Sequence, residues 1–336
     1  MILLDFLSQT SGNEEKLMKK FQEVTINTNK VIAEVGRAIV GKSFLIKQIL
    51  AACLAGGHIL LEDFPGLGKT ILSKSISTAL GLDFKRIQFT PDLLPGDITG
   101  SYIYNRTQNR FDLRKGPIFS NIILADEINR ASPKTQSALL EAMQEFQVTL
   151  EGETLLLDQP FIVIATQNPI EYEGTFPLPE AQLDRFLVKL SVGYPDVDQE
   201  QEILRNRRER GYDEVLINPV TDAESFLQMR ESIEKVHVEP DIERYIVHIV
   251  GATREEKRIL VGASPRASLA LLKISRAFAA IEGREYVIPD DIKQFIFPAL
   301  THRLILQPEF WMKYKAEENI LQQLVDSIPV PVFEYS

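Results

Sequence analysis

The chain reads as an α/β protein, a parallel sheet sandwiched between helices, followed by a small all-helical domain. Three observations predict this. Short apolar runs alternate with helical patterns through the first 195 residues. One of those runs ends in the small-residue loop Pro65-Gly66-Leu67-Gly68-Lys69-Thr70. After Pro195 no strand pattern of comparable strength follows, and helical spacing takes over.

Taken in order, Met1-Ile2-Leu3-Leu4-Asp5-Phe6-Leu7 is apolar but lacks a basic leader and a small-residue cleavage site, which predicts a short N-terminal helix rather than a signal peptide. Strands are expected near 58–62, 86–90, 121–125, 161–166 and 186–192. A helix over 71–80 stops at Gly81, a C-terminal cap signal. Pro133 sits in the first turn of another, with Ala138, Leu139, Ala142, Met143 and Phe146 on one face. Two alternating segments predict β-hairpins. In 101–113, Tyr102-Ile103-Tyr104 and Arg110-Phe111-Asp112-Leu113 flank a polar turn; in 147–157, Val148-Thr149-Leu150 and Thr154-Leu155-Leu156-Leu157 flank Glu151-Gly152-Glu153. Such hairpins either carry movement away from a phosphate site or are solvated decoration. Helices are then expected over 196–210, 223–236, 240–257, 265–281 and 289–300, several opening on proline. The expected division is a core of residues 1–195, with hairpin inserts at about 91–116 and 147–158, and an all-helical lid of 196–336.

With 336 residues, 44% of them hydrophobic and 25% charged, the chain can bury a sizeable core, divided by its length into about two domains. No apolar run approaches the roughly 18 residues that span a bilayer. The one cysteine, Cys53, cannot form an internal disulfide and lies among Ala51, Ala52 and Leu54, which predicts a buried helix position and a cytoplasmic protein. His58, His237, His248 and His302 are scattered without metal-ligand spacing, which argues against a zinc site. The formal net charge of −10 argues against general nucleic-acid affinity, although Arg106, Arg110, Arg114 and Lys115 leave a local basic patch open.

The glycine loop between a strand and a helix starting at about Thr70 is suited to phosphate, because its backbone N–H groups wrap phosphate oxygens at the positive end of the helix. Lys69 is expected to reach the β- and γ-phosphates of ATP, and the Thr70 hydroxyl to ligate Mg²⁺. A G-x-G-K-T alone also suits a glycine-rich turn with a surface lysine, and Asp63 stands where the strict pattern asks for glycine. The apolar run Ile122-Ile123-Leu124-Ala125 ending in Asp126-Glu127 supports the nucleotide reading: Asp126 holds the same ion from its outer shell, and Glu127 is the candidate base for an attacking water.

Asp126-Glu127-Ile128-Asn129-Arg130-Ala131-Ser132-Pro133-Lys134-Thr135-Gln136, followed by Leu139-Leu140-Glu141-Ala142-Met143, closely resembles the MoxR family of AAA+ ATPases. The resemblance runs through Val40-Gly41-Lys42, Gln88-Phe89-Thr90-Pro91-Asp92-Leu93-Leu94-Pro95, Ala165-Thr166-Gln167-Asn168-Pro169, the stretch from Leu178 to Phe186, and Gly262-Ala263-Ser264-Pro265-Arg266. Aspartate in place of the leading glycine is common in that family. The resemblance implies a P-loop AAA+ core with hairpin inserts and a helical lid, assembled as a homo-oligomeric ring, a hexamer, with ATP at subunit boundaries. It gives Arg185 the part of an arginine finger, whose charge answers that of the transition state in a neighbour's site; an arginine paired with Asp184 or Glu180 is the plainer alternative. Asn168 matches sensor 1, against a buried capping asparagine, and Arg266 matches sensor 2. Val40 and Gly41 match the segment that contacts the base. Asn129 and Arg130 either shape the subunit boundary or are a capping Asn and a surface Arg. The hairpins match the helix-2 and pre-sensor inserts, expected to face the ring's pore or one rim. The implied function is remodelling, maturation or assembly of client proteins, often with a separate protein carrying a von Willebrand factor A domain. A nucleic-acid-stimulated motor and a nucleotide-gated scaffold with little turnover are the alternatives.

Overall fold

In the computed structural model, which describes residues 2–169, 174–313 and 315–331, the five expected apolar runs pair as one parallel sheet. The chain starts with α1 (Ile2–Gly36) and α2 (Ser43–Leu54), so the short N-terminal helix expected from the first residues is the beginning of a helix of 35 residues. β1 (His58–Glu62), α3 (Lys69–Ala79) and β2 (Phe84–Gln88) follow, then α4 (Pro95–Thr99), β3 (Gly100–Asn105), β4 (Arg110–Lys115) and β5 (Ile122–Asp126). After α5 (Pro133–Glu145) come β6 (Gln147–Leu150), β7 (Glu153–Leu156), β8 (Ile162–Gln167), α6 (Glu180–Leu183), β9 (Phe186–Leu190) and α7 (Val197–Arg210).

The sheet order is β2-β5-β8-β1-β9, parallel throughout. β5 and the first five residues of β8 are buried, as strands covered on both faces must be. β2 lies two residues earlier than its apolar run suggested: it is the edge strand, Lys85 and Arg86 are exposed, and Phe89, just past it, buries its ring in the core while its N–H donates to the Asp126 carbonyl (2.9 Å). α5 packs Leu139, Leu140 and Met143 with Phe89, Ile123, Phe161 and Val163. His58 is a satisfied core histidine, its Nδ1 accepting from the Val163 N–H (3.1 Å) and its Nε2 donating to the Met143 carbonyl (2.9 Å). Both expected hairpins form. β3 and β4 pair antiparallel, Asn105 opposite Arg110, and β6 and β7 close through Glu151 and Gly152, both left-handed as a two-residue hairpin turn requires. The Tyr102 hydroxyl donates to Glu153 Oε2 (2.5 Å), tying one hairpin to the other, and Arg110 pairs with Asp112.

The chain packs as two units, one of residues 31–46 and 56–223, the other of 1–30, 47–55 and 224–336. The change of unit thus falls at 223/224 rather than after Pro195. The stretch beyond α7 returns to the core, where the Val220 N–H donates to the Ala79 carbonyl (2.8 Å) and Gly81 lies so close to the Thr221 carbonyl that a Cβ would meet it at 2.1 Å. The second unit holds α8 (Ala223–Ile233) from Glu224 on, then α9 (Pro240–Glu255), β10 (Ile259–Val261), α10 (Pro265–Ile281), α11 (Pro289–Lys293), α12 (Ile296–Leu300), β11 (Ile305–Leu306) and α13 (Ala316–Ser327). Its N-terminal segments belong there because Phe21, Val24, Leu50 and Cys53 are buried and the Thr25 hydroxyl donates to the Ala280 carbonyl (3.0 Å). The unit is not purely helical: β10 and β11 form a short antiparallel pair. The helix expected over 289–300 is two helices, since Pro298 cannot donate to the carbonyl of Gln294 and clashes with it, which breaks the rod at Phe295.

In this unit Glu256 binds the Arg258 guanidinium (2.8 Å), and that hydrogen bond holds its carboxyl at about 2, well below the ordinary 4.5. A carboxylate depressed on folding stabilises the unit above about pH 4.5 and loses that contribution as the pH falls toward 2. Thermal unfolding of Arg258→Gln should therefore show a destabilisation at pH 7 that shrinks toward pH 2.

Candidate active site

Because β1, β8 and β5 are adjacent and parallel, their C-terminal ends lie side by side, about 4.8 Å from one strand to the next. From β1 the chain enters the glycine loop, from β8 it continues to Asn168, and β5 ends in Asp126 with Glu127 next. The sheet thus brings together the three segments that the sequence separates. Arg185 goes elsewhere. It directly precedes β9, whose Phe186 is level with His58, the first residue of β1, so it stands at the opposite edge, roughly 16 Å of strand from the loop. Its guanidinium donates to the Leu140 carbonyl of α5, and among the described residues it makes no ion pair, so the expected alternative pairing with Asp184 or Glu180 is absent. Arg266 opens α10 in the second unit, its backbone N–H donating to the Ser264 cap (3.2 Å).

Gly66 and Gly68 have φ of 83° and 77°, a left-handed backbone that L residues rarely adopt, and a side chain added at Gly66 would meet nothing within 4 Å. Pro65, Leu67 and Thr70 complete the loop, in which Pro65 and Gly66 are exposed and Leu67 to Thr70 half-buried. Lys69 Nζ donates across the loop to the carbonyls of Asp63 (2.7 Å) and Phe64 (3.2 Å). Asp63, the departure from the strict pattern, is buried; its Oδ2 accepts from the Ser191 hydroxyl (3.0 Å) and from the backbone N–H groups of Val192 and Gly193 (2.9 Å). It pins the root of the loop to the segment leaving β9, a role no local pattern reveals.

The acidic pair is fully engaged. Asp126 Oδ1 accepts from the Thr166 hydroxyl (2.6 Å), which in turn accepts from the Glu127 N–H (2.8 Å). Asp126 Oδ2 accepts from Arg86 Nε (3.0 Å) and Nη2 (2.6 Å). Glu127 Oε2 accepts from Gln88 Nε2 and Arg130 Nη1, both at 2.9 Å. Glu127 is itself left-handed at φ 56°, a conformation that costs a non-glycine residue on the order of 1 kcal/mol and clusters at functional sites. Arg130 is therefore a partner of Glu127 rather than an idle surface charge. Asn129 is buried in the 3₁₀ turn Ile128–Arg130 and caps no helix. Arg86, Gln88, Thr166 and Asp63 are the residues that the motif reading missed as participants.

Among the described residues no three His, Cys, Asp or Glu gather to hold a metal ion. A divalent cation bound by the Thr70 hydroxyl, with Asp126 in its outer shell, would take its other ligands from phosphate and water, which suits Mg²⁺, a hard ion that dehydrates reluctantly. Beside α3 lies an open cavity of about 770 Å³ lined by Val40, Ile71, Ile203 and Ile217, with Lys74 and Arg207. Gly41, left-handed at φ 72°, borders α7 so closely that a Cβ would strike the Gln199 side chain.

Residues 58–188 match the model of the ATPase family associated with various cellular activities, and residues 251–324 match the AAA lid domain. An uncharacterized Bacillus subtilis protein, YeaC, is 49% identical over 90% of this chain and 94% of its own. Chaperone MoxR1 of Mycobacterium tuberculosis is 40% identical over 90% of this chain and 82% of its own. The crystal structure of a Cytophaga hutchinsonii protein, 41% identical, superposes with a TM-score of 0.87 over 96% of this chain and 99% of the other.

Asp63→Ala strands three donors of 191–193 and should cost about 2–3 kcal/mol of stability while weakening ADP binding. Asp63→Gly, which restores the strict pattern, should do no better, and Asp63→Asn should lose less. Thermal unfolding and ADP titration of the three variants check this.

Proposed function

This chain belongs to the MoxR family of AAA+ ATPases, and we propose that it forms a homo-oligomeric ring, a hexamer, that cleaves ATP at subunit boundaries to remodel, mature or assemble client proteins. One observation carries the reading. The phosphate loop and acidic pair lie at one edge of the sheet and Arg185 at the other, which supports a site completed by a second copy.

In this reading the loop N–H groups and Lys69 hold the β- and γ-phosphates, while Val40, Gly41 and the apolar wall of the neighbouring cavity take the base. Mg²⁺, when bound, offsets the negative charge on the phosphates. Thr70 and Asp126 are the residues that hold it. Glu127 accepts a proton from the attacking water once its carboxylate parts from Gln88 and Arg130, and Asn168 orients that water. Arg185 of the adjacent subunit answers the transition-state charge, which is why hydrolysis requires assembly. The second unit serves as a lid carrying Arg266 as the γ-phosphate sensor, and the two hairpins, joined through Tyr102 and Glu153, face the client. A separate von Willebrand factor A protein is the expected partner. No described helix is long and apolar enough to cross a membrane, and the lone buried Cys53 supports a cytoplasmic setting.

Lys69→Ala should abolish ADP and ATP binding in a fluorescence titration. Glu127→Gln should bind ATP normally and slow its hydrolysis about 10²-fold or more, as loss of a general base does; an unchanged rate removes Glu127 from this role. Arg185→Ala should be slow alone and regain activity when mixed with Lys69→Ala subunits, which still present the arginine. Absence of rescue at every mixing ratio would place Arg185 in its own subunit's chemistry and overturn the boundary site.

A further inference from the structure

Arg86 is absent from every motif quoted above, yet it makes the strongest contact to the acidic pair. β2 pairs with β5 so that Gln88 stands opposite Asp126, and Arg86, two residues back, shares that face. The guanidinium sends both Nε (3.0 Å) and Nη2 (2.6 Å) to Asp126 Oδ2, while Oδ1 is committed to the Thr166 hydroxyl. Both oxygens of this carboxylate are thus engaged, one by a permanent positive charge, since arginine does not deprotonate in proteins. The two partners differ in freedom. The Asp126 side chain is 11% exposed and held from two sides, whereas that of Arg86 is 48% exposed on the edge strand and can swing toward solvent.

We propose that Arg86 is an internal competitor of the divalent cation for Asp126. Binding of the metal draws the guanidinium off Oδ2, so the chain sets its metal affinity lower than the bare carboxylate would give. The same Nη2 donates to Gln88 Oε1 (2.5 Å), whose Nε2 donates to Glu127 Oε2 (2.9 Å). Displacement of Arg86 therefore loosens the amide that restrains Glu127, which ties metal loading to release of the base. Arg86 acts here as a positioning residue. The inference rests on the assignment of Asp126 to the metal made above.

A residue needed only to orient Asp126 would have the opposite effect, because its loss would weaken metal binding. Mn²⁺ titration of the ADP-loaded full chain, read by electron paramagnetic resonance, separates the two. Arg86→Ala should bind Mn²⁺ roughly fivefold more tightly than wild type, the size expected on removing a half-exposed charge-assisted contact. Arg86→Lys should fall between them, and ADP affinity in EDTA should be unchanged. In an Asp126→Asn background the gain from Arg86→Ala should vanish. Unchanged or weaker Mn²⁺ binding by Arg86→Ala overturns the proposal. So does a gain that persists with Asp126→Asn, which would reflect only the general loss of a positive charge. If Asp126→Asn alone leaves Mn²⁺ affinity intact, the metal assignment fails and the competition falls with it. Should Arg86→Ala not fold by circular dichroism, Arg86→Gln and Arg86→Lys carry the same comparison.

Discussion

Parallel strand direction is the constraint on which the site depends. Every strand of the sheet starts at one edge and ends at the other, so groups that follow strands converge and groups that precede them are sent away. β8, inserted between β1 and β5, sets the distance from phosphate loop to acidic pair and puts Asn168 in the interval. No local contact could do this, because the loop and Asn168 are about a hundred residues apart in sequence, a separation that only a buried sheet bridges cheaply.

What the sequence revealed was local. The strand at His58–Glu62, the helix Pro265–Ile281, both hairpins and the acidic pair carry their signal within a few residues, as period, turn chemistry or a proline at a helix start. What it concealed needed a distant partner. Asp63 reads as an imperfect glycine until its carboxylate is found on Val192, 129 residues later, and Arg86 reads as an exposed strand residue until it meets Asp126, 40 residues on. The misplaced ends have equally plain causes: an edge strand need not be apolar on both faces, Pro298 breaks a rod whose hydrophobic spacing continues through it, and residues 211–223 return to the core without any helical pattern to announce it.

The polar residues of the site form a connected set rather than separate ligands. From Thr166 through Asp126, Arg86, Gln88 and Glu127 to Arg130, each side chain is hydrogen-bonded to the next, with the two carboxylates accepting from the neighbours on either side. In a half-buried network of this kind the hydrogen bonds polarise one another, so a change at one end is expected to be felt at the other. Asp63 gives the loop a comparable link on its far side, toward the segment leading into α7. Motif residues thus supply the reacting atoms, and their unannounced neighbours decide where those atoms rest.

The path of the backbone has its own consequence. It passes from one packed unit to the other at 30/31, 46/47, 55/56 and 223/224, so neither unit is a continuous stretch of gene. No single break in the message leaves both bodies whole. Recombination that trades whole modules by one crossover cannot exchange either half of this molecule, and the pair must be inherited, synthesised and matured together.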